Sequence, residues 1–152
     1  MVMKKRGLST YSKNYYFAPT YKRPKLIQNF VWVSFGGAIG AVLRYAVSLV
    51  ISSRSSCIFP WPTFCVNMFG CMLIGVISAL ITTHYKEHQY LAPFLITGVL
   101  GGFTTFSSFA FETHQLLSQK AYLIAIIYVV ASNLLGIAAA ITSFWSVSKI
   151  LS

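Results

Sequence analysis

Hydrophobic positions in this chain gather into four long runs, and most polar and charged residues fall between them. The first run covers residues 30–51 and holds a single charge, Arg44. The second, 63–83, is uncharged and follows Phe59-Pro60-Trp61-Pro62, a turn-forming sequence. The third, 91–111, is also uncharged, with Pro93 near its start, where a helix tolerates the missing N–H. The fourth, 121–148, carries no charge and is long enough to cross a bilayer with tilt. A helical crossing takes about 20 apolar residues. The pattern therefore predicts an all-α membrane protein of four transmembrane helices joined by short links.

Composition narrows the class further. Of 152 residues, 56% are hydrophobic and 9% charged, and the mean hydropathy is +0.67. Soluble domains carry roughly 25% charged residues, so this chain lacks the polar surface to coat a globule. Intrinsic disorder fails for the opposite reason, an excess of apolar residues. Three cysteines (Cys57, Cys65, Cys71) are too few, and odd in number, for a secreted disulfide framework. They read as small apolar fillers.

The net charge of +10 is unevenly placed. Lys4, Lys5, Arg6, Lys13, Lys22, Arg23 and Lys25 all precede the first run, which divides the chain into a basic arm, 1–29, and a membrane domain, 30–152. The arm has no apolar core followed by a cleavage site, so it does not read as a signal peptide. It has no nucleic-acid-binding fold signature either. It reads as an irregular tail on the cytoplasmic side, as the excess of Lys and Arg on inner segments requires. Lys86 and Lys149 would share that side, with Arg54 and Lys120 opposite, so the domain by itself is balanced and only the arm sets an orientation.

Inside the runs, few groups can do chemistry. Arg44 is costly in hydrocarbon and must either reach the interface or line an aqueous vestibule. Asn67 needs a partner or water; it is a helix-to-helix bond or a pore donor. Gly36 and Gly40 form a small-xxx-small pair suited to close helix packing. The segment Gly98-Val99-Leu100-Gly101-Gly102-Phe103-Thr104-Thr105-Phe106-Ser107-Ser108-Phe109 combines paired glycines with four hydroxyls, which favours a helix break lining a cavity. Phe103, Phe106 and Phe109, three apart, are expected roughly on one face. Aromatic rings have a positive edge, so ring edges beside hydroxyls could receive a small, hard anion. Glu112 is placed at the end of the third run, leaving no acid at mid-membrane for a coupled pump. No nucleophile–base set, metal cluster or phosphate loop is present, so no enzyme is predicted.

These residues resemble a known family. Gly36-Gly37-Ala38-Ile39-Gly40-Ala41-Val42-Leu43-Arg44-Tyr45 is similar to the first-helix signature of the Fluc (CrcB) fluoride channels. Val66-Asn67 with Gly70 and Gly75 is similar to their second helix, and residues 98–112 resemble their third-helix motif. Tyr128, Ser132 and Gly136 fit the fourth more loosely. The likeness covers residues 30–148. It departs at Phe64-Cys65, where small or aliphatic residues are usual, and at Ser108, often Thr.

The resemblance implies a passive, fluoride-selective channel in the plasma membrane, two pores in an antiparallel dimer of identical or paralogous chains. It implies that Phe106 and Phe109 present ring edges to fluoride and that Asn67 donates its amide. Ser107, Ser108, Tyr128 and Thr104 would line the pore, with Arg44 toward the vestibule. It further implies a structural Na⁺ on the backbone carbonyls of Gly102 and Thr105. Lipid and fluoride would be the other partners, and export would follow because HF enters neutral and ionises inside. Two other readings are a coupled multidrug-type transporter of four helices and a membrane adaptor working through its arm.

Overall fold

The structure, a computed structural model, describes residues 26–54, 57–85 and 90–151. The seven basic residues of the arm lie outside the described residues, as do Lys86 and Glu87. Among the described residues there is no strand. Four segments are long and apolar enough to cross a membrane: Leu26–Ser52, Trp61–Thr83, Ala92–Ser118 and Tyr122–Leu151. The four-helix expectation from the hydrophobic runs therefore holds.

Two boundaries differ from the sequence reading by four residues or more. The first helix begins at Leu26, so residues 26–29 continue the span. The third segment runs on to Ser118 instead of ending at Phe111. Its polar residues do not stop it because they find partners: Thr113 Oγ1 donates to Phe109 O at 2.7 Å, and Glu112 is hydrogen-bonded to two neighbouring helices. It stops where Lys120 takes a left-handed φ of 59°. Lys120 N–H then donates to Leu117 O at 3.0 Å and Ala121 N–H to Leu116 O at 2.9 Å, a paired-bond helix end that reverses the chain within three residues.

Glycines decide which helices meet. A Cβ on Gly36 would strike Phe94 O and come within 3.0 Å of Gly98 Cα. A Cβ on Gly40 would strike Val99 O and lie 2.8 Å from Phe103 N. From the other side, a Cβ on Gly98 would stand 2.9 Å from Gly36 Cα, and one on Gly102 3.0 Å from Gly37 Cα. Two small-xxx-small stripes, Gly36/Gly40 and Gly98/Gly102, thus let the first and third segments pack backbone to backbone. The second and fourth helices meet through Gly75 against Ser143 and Ala140, and through Gly136, where a Cβ would stand 3.2 Å from Cys71 Sγ. Cys71 fills that gap, consistent with its reading as an apolar filler.

One expectation follows directly. Gly40→Ala should lower thermal stability by about 1–3 kcal/mol, because its methyl meets immobile backbone. Gly37→Ala should melt near wild type, since nothing lies within 4 Å of its Cβ position. Unfolding of the two variants in detergent, followed by circular dichroism, makes the comparison.

The remaining core is small. Phe109, Leu116, Ala125 and Tyr128 form it, with Phe59 and Phe64 packed alongside. Most large apolar side chains point outward instead, as in a protein solvated by hydrocarbon.

Candidate functional site

The third segment has three parts. Residues Ala92–Leu100 have the wide i→i+5 turn of a π-helix, Gly101–Phe103 form one α turn, and Phe106–Ser118 resume the α-helix. Between the last two, Thr104 (φ −79°, ψ 156°) and Thr105 (φ −147°, ψ 117°) have extended backbone. Extended residues at this depth free backbone groups that lipid cannot satisfy. Asn67, on the second helix, supplies what is needed. Its Nδ2 donates to Thr105 O at 3.1 Å, and its Oδ1 accepts from Thr105 N–H at 2.9 Å. One primary amide thus satisfies both backbone groups of one residue and retains a second N–H.

The resumed helix is capped from within. Thr105 Oγ1 accepts from Ser108 N–H at 3.1 Å and lies 3.1 Å from both Ser107 Oγ and Ser108 Oγ. This is an N-cap with hydroxyls clustered at the first turn. Thr104 Oγ1 turns back to Leu100 O at 2.9 Å. Because two extended residues intervene, Phe103 falls out of phase with the other two aromatics. The single-face expectation for Phe103, Phe106 and Phe109 is therefore corrected: only Phe106 and Phe109 share a helix, with ring centroids 5.5 Å apart.

Those two rings differ sharply in environment. Phe106 is 76% exposed on the single chain, whereas Phe109 is 9% exposed and packs on Tyr128 at 5.1 Å. Tyr128 is fully buried, with Phe59 edge-on at 5.4 Å. Its hydroxyl donates to Glu112 Oε2 at 2.7 Å, and Thr63 Oγ1 donates to Glu112 Oε1 at 2.6 Å. The sequence reading put Glu112 at the end of the third span; the structure puts it well within that span, tied to the second and fourth helices. Replacing it should show in stability. Glu112→Leu orphans two buried hydroxyls at about 1–3 kcal/mol each, whereas Glu112→Gln keeps an acceptor and should lose less. Melting temperatures in detergent test the order.

Beside the extended pair lies a groove of about 320 Å³. Asn67, Thr104, Thr105, Phe106 and Phe109 line it, together with Ser132 and Asn133 of the fourth helix. Ser132 Oγ is buried and has no hydrogen-bond partner. The wall carries amide and hydroxyl groups and aromatic rings but no carboxylate, ammonium, guanidinium or imidazole. Ser107, Ser108 and Tyr128 do not line this groove. A second recess of about 270 Å³ is lined by Glu112, Gln115 and Phe59. Contacts link the two: Phe109 touches Tyr128, and Tyr128 bonds Glu112.

Arg44 lies on the same stripe as Gly36 and Gly40, four residues on. Its Nε donates to Gly102 O at 3.2 Å, so the guanidinium is drawn to the third segment just before the extended pair. The sequence reading weighed interface against vestibule and missed this bond. The Gly98/Gly102 stripe, Thr63 as a partner of Glu112 and Asn133 on the groove were missed as well. The four-residue spacing of Gly98 and Gly102 was a legible signal; the other two show only in three dimensions.

The family model for CrcB-like proteins, described as Camphor Resistance (CrcB), matches residues 31–144. The chain belongs to the CrcB family. A CrcB relative from Flavobacterium psychrophilum, named fluoride-specific ion channel FluC, is 41% identical over 113 residues, covering 74% of this chain and 91% of that protein. A Helicobacter pylori (strain G27) protein of the same name is 44% identical over 110 residues, 71% of this chain and 84% of its own length. A third, from Chloroflexus aurantiacus (strain J-10-fl), is 41% identical over 115 residues, 76% and 91% respectively. The matched region contains Arg44, Asn67, the extended pair, Glu112 and Tyr128, and excludes the basic arm.

Proposed function

We propose that this CrcB chain is a passive fluoride channel that lets cytoplasmic fluoride leave the cell, and that it is not an enzyme. The observation that carries the reading is the groove: neutral donors and two phenylalanines beside extended backbone, with no carboxylate, ammonium, guanidinium or imidazole among the residues that line it. Such a wall suits a small, strongly hydrated anion that must shed water without meeting a full countercharge. Asn67 retains one free N–H for it, and the unpartnered Ser132 hydroxyl offers another donor. Ring edges of Phe106 and Phe109 add positive potential without a charge. Ser107 and Ser108 would contribute hydroxyls from the helix cap, and Tyr128 would act through Phe109 and Glu112 from behind the wall.

The pore needs a second subunit. Phe106 is open on the single chain, and the extended Thr104–Thr105 pair forms a helix break that an inverted copy could cross. An antiparallel pair built this way has two equivalent pores. Sodium is proposed at the same crossing. The carbonyls of Gly102 and Thr105 each accept one hydrogen bond, from Arg44 Nε and Asn67 Nδ2, and each keeps a second lone pair. Two oxygens per chain make four across a dimer, a donor set suited to a hard cation. Na⁺ would there join the two chains and offset freed carbonyls, and would not be transported.

The arm bears on assembly. With it inside, nine basic residues face the cytoplasm against two outside, so insertion is biased toward one orientation. An antiparallel pair is then completed by a reversed minority of copies or by a paralogue of opposite bias. Expressing this chain alone with one cysteine introduced in the arm, and labelling it with an impermeant thiol reagent, separates the cases. Half-labelling with fluoride efflux means self-pairing; near-complete protection without efflux means a paralogue.

Liposomes holding the purified dimer and loaded with fluoride test the function itself. Fluoride should drain down its gradient without added cofactor or proton gradient, while chloride stays. A coupled transporter is the alternative, favoured by the carboxylate of Glu112 within the third span. It predicts that Glu112→Gln abolishes uphill exchange, whereas a passive channel needs no driving ion at all.

A further inference from the structure

The fourth helix, Tyr122–Leu151, carries a single primary amide, Asn133. At 1.5 Å per residue Asn133 lies about 5 Å from the middle of that helix, well inside a hydrocarbon core of about 30 Å. Its neighbours on the same helix face, Ile126, Val130 and Ile137, are apolar and exposed. Asn133 is exposed as well, the one strongly polar side chain on that stretch of the face. Asn133 Nδ2 donates to Val129 O at 2.7 Å. A carbonyl only accepts, so that bond fixes which end of the amide is nitrogen. The second N–H and Oδ1 have no hydrogen-bond partner among the described residues. Polar groups further along the helix are different: Thr142 Oγ1 spends its one proton on Ala138 O at 2.7 Å, and Ser143 Oγ spends its own on Met72 O at 2.9 Å. Lipid would leave the open N–H of Asn133 unmet, at a high cost.

The groove beside the extended pair is where that N–H can be met, because Asn133 lines it. We infer that Asn133 is a second amide donor to the permeating anion, placed on the fourth helix as Asn67 is on the second. This inference rests on the reading of the chain as a passive fluoride channel. The two amides are built alike. Each gives one N–H to a backbone carbonyl, Asn67 to Thr105 O at 3.1 Å and Asn133 to Val129 O at 2.7 Å, and each keeps the other. Both are neutral, as is the rest of the groove's lining, so an anion gains donors from two helices without meeting a countercharge that would hold it. The position also suits selection. A small anion close to the wall gains most from a fixed N–H dipole, since the attraction falls with distance.

The test compares Asn133→Leu, Asn133→Asp and Asn133→Gln in the full chain, reading initial fluoride efflux from liposomes, melting temperature and elution volume in detergent. Asn133→Leu takes a polar group off an apolar face, so it should melt at or above the parent and elute with it. Its efflux should nevertheless fall about tenfold, the loss of one net hydrogen bond from the barrier. Asn133→Asp keeps the shape and an acceptor but loses both N–H groups at neutral pH, and should fall at least as far. Asn133→Gln keeps a primary amide one methylene further out and should recover much of the flux. Parent-like efflux through Asn133→Leu would overturn the inference. So would parent-like efflux through Asn133→Asp, which would make the amide an acceptor, or a Gln variant no better than Leu. A slow Asn133→Leu with an altered elution volume would overturn it too, by assigning the amide to contact with a second copy of the chain. The parent, run alongside, keeps the two readings apart: a parent that releases no fluoride removes the proposed function and this inference together, whereas a conducting parent matched by Asn133→Leu removes this inference alone.

Discussion

Asn67→Leu should abolish fluoride efflux and also weaken the fold. Leucine branches at Cγ as asparagine does and fits the same place with its extra bulk toward the groove, but the Thr105 N–H and C=O lose their partner together. Two hydrogen bonds of about 1.4 kcal/mol each amount to a factor of about 100 in rate if they act on the barrier. The orphaned backbone groups add a stability loss of about 1–3 kcal/mol each, since lipid offers no replacement. Asn67→Asp is the informative companion. It keeps the acceptor for Thr105 N–H but loses both amide donors, so it should keep more stability than Leu and still fail to conduct. Initial efflux rates from liposomes and melting temperatures in detergent read the two effects separately. Normal efflux through Asn67→Leu would mean that the amide serves packing alone.

Phe106→Ile and Phe109→Ile should each stop fluoride flux while leaving assembled protein. Isoleucine keeps an apolar, though shorter, side chain but has no ring and so no positive edge. The structure separates the two variants in stability. Phe109 is buried against Tyr128, so its replacement forfeits an aromatic pair of about 0.5–1.5 kcal/mol. Phe106 is mostly exposed on the single chain and should lose little. Efflux measured on protein selected by size keeps conduction apart from assembly. If both variants conduct normally, the rings are packing elements and the anion is received elsewhere on the groove.

Legibility in the sequence followed the range of the interaction. The four crossings were readable because lipid imposes length and apolarity locally, residue by residue. The Gly36/Gly40 stripe was readable because four-residue spacing is a property of one helix. The end of the third segment was misread: Glu112 looks like a terminus until Thr63 and Tyr128, 49 residues before and 16 after, are known to satisfy it. Phe103 was assigned to a face by counting in helical steps, and two extended residues shifted its phase. The roles of Phe106, Phe109 and Ser108 came from resemblance to a family, since spacing alone does not distinguish a pore lining from a core.

By itself, then, the sequence determined the membrane class, the number of crossings, the charge asymmetry and the small-residue stripe of the first helix. Each depends on composition or on periodicity within one segment. Only the tertiary structure decided the partners. It put the Asn67 amide on both backbone groups of Thr105, Arg44 Nε on the Gly102 carbonyl, and Glu112 between Thr63 and Tyr128. A polar group in a membrane must be satisfied, and the sequence announces that need. Which donor meets which acceptor is fixed by helices packing at glycine-thin contacts, where a single Cβ would move the partner out of hydrogen-bond reach.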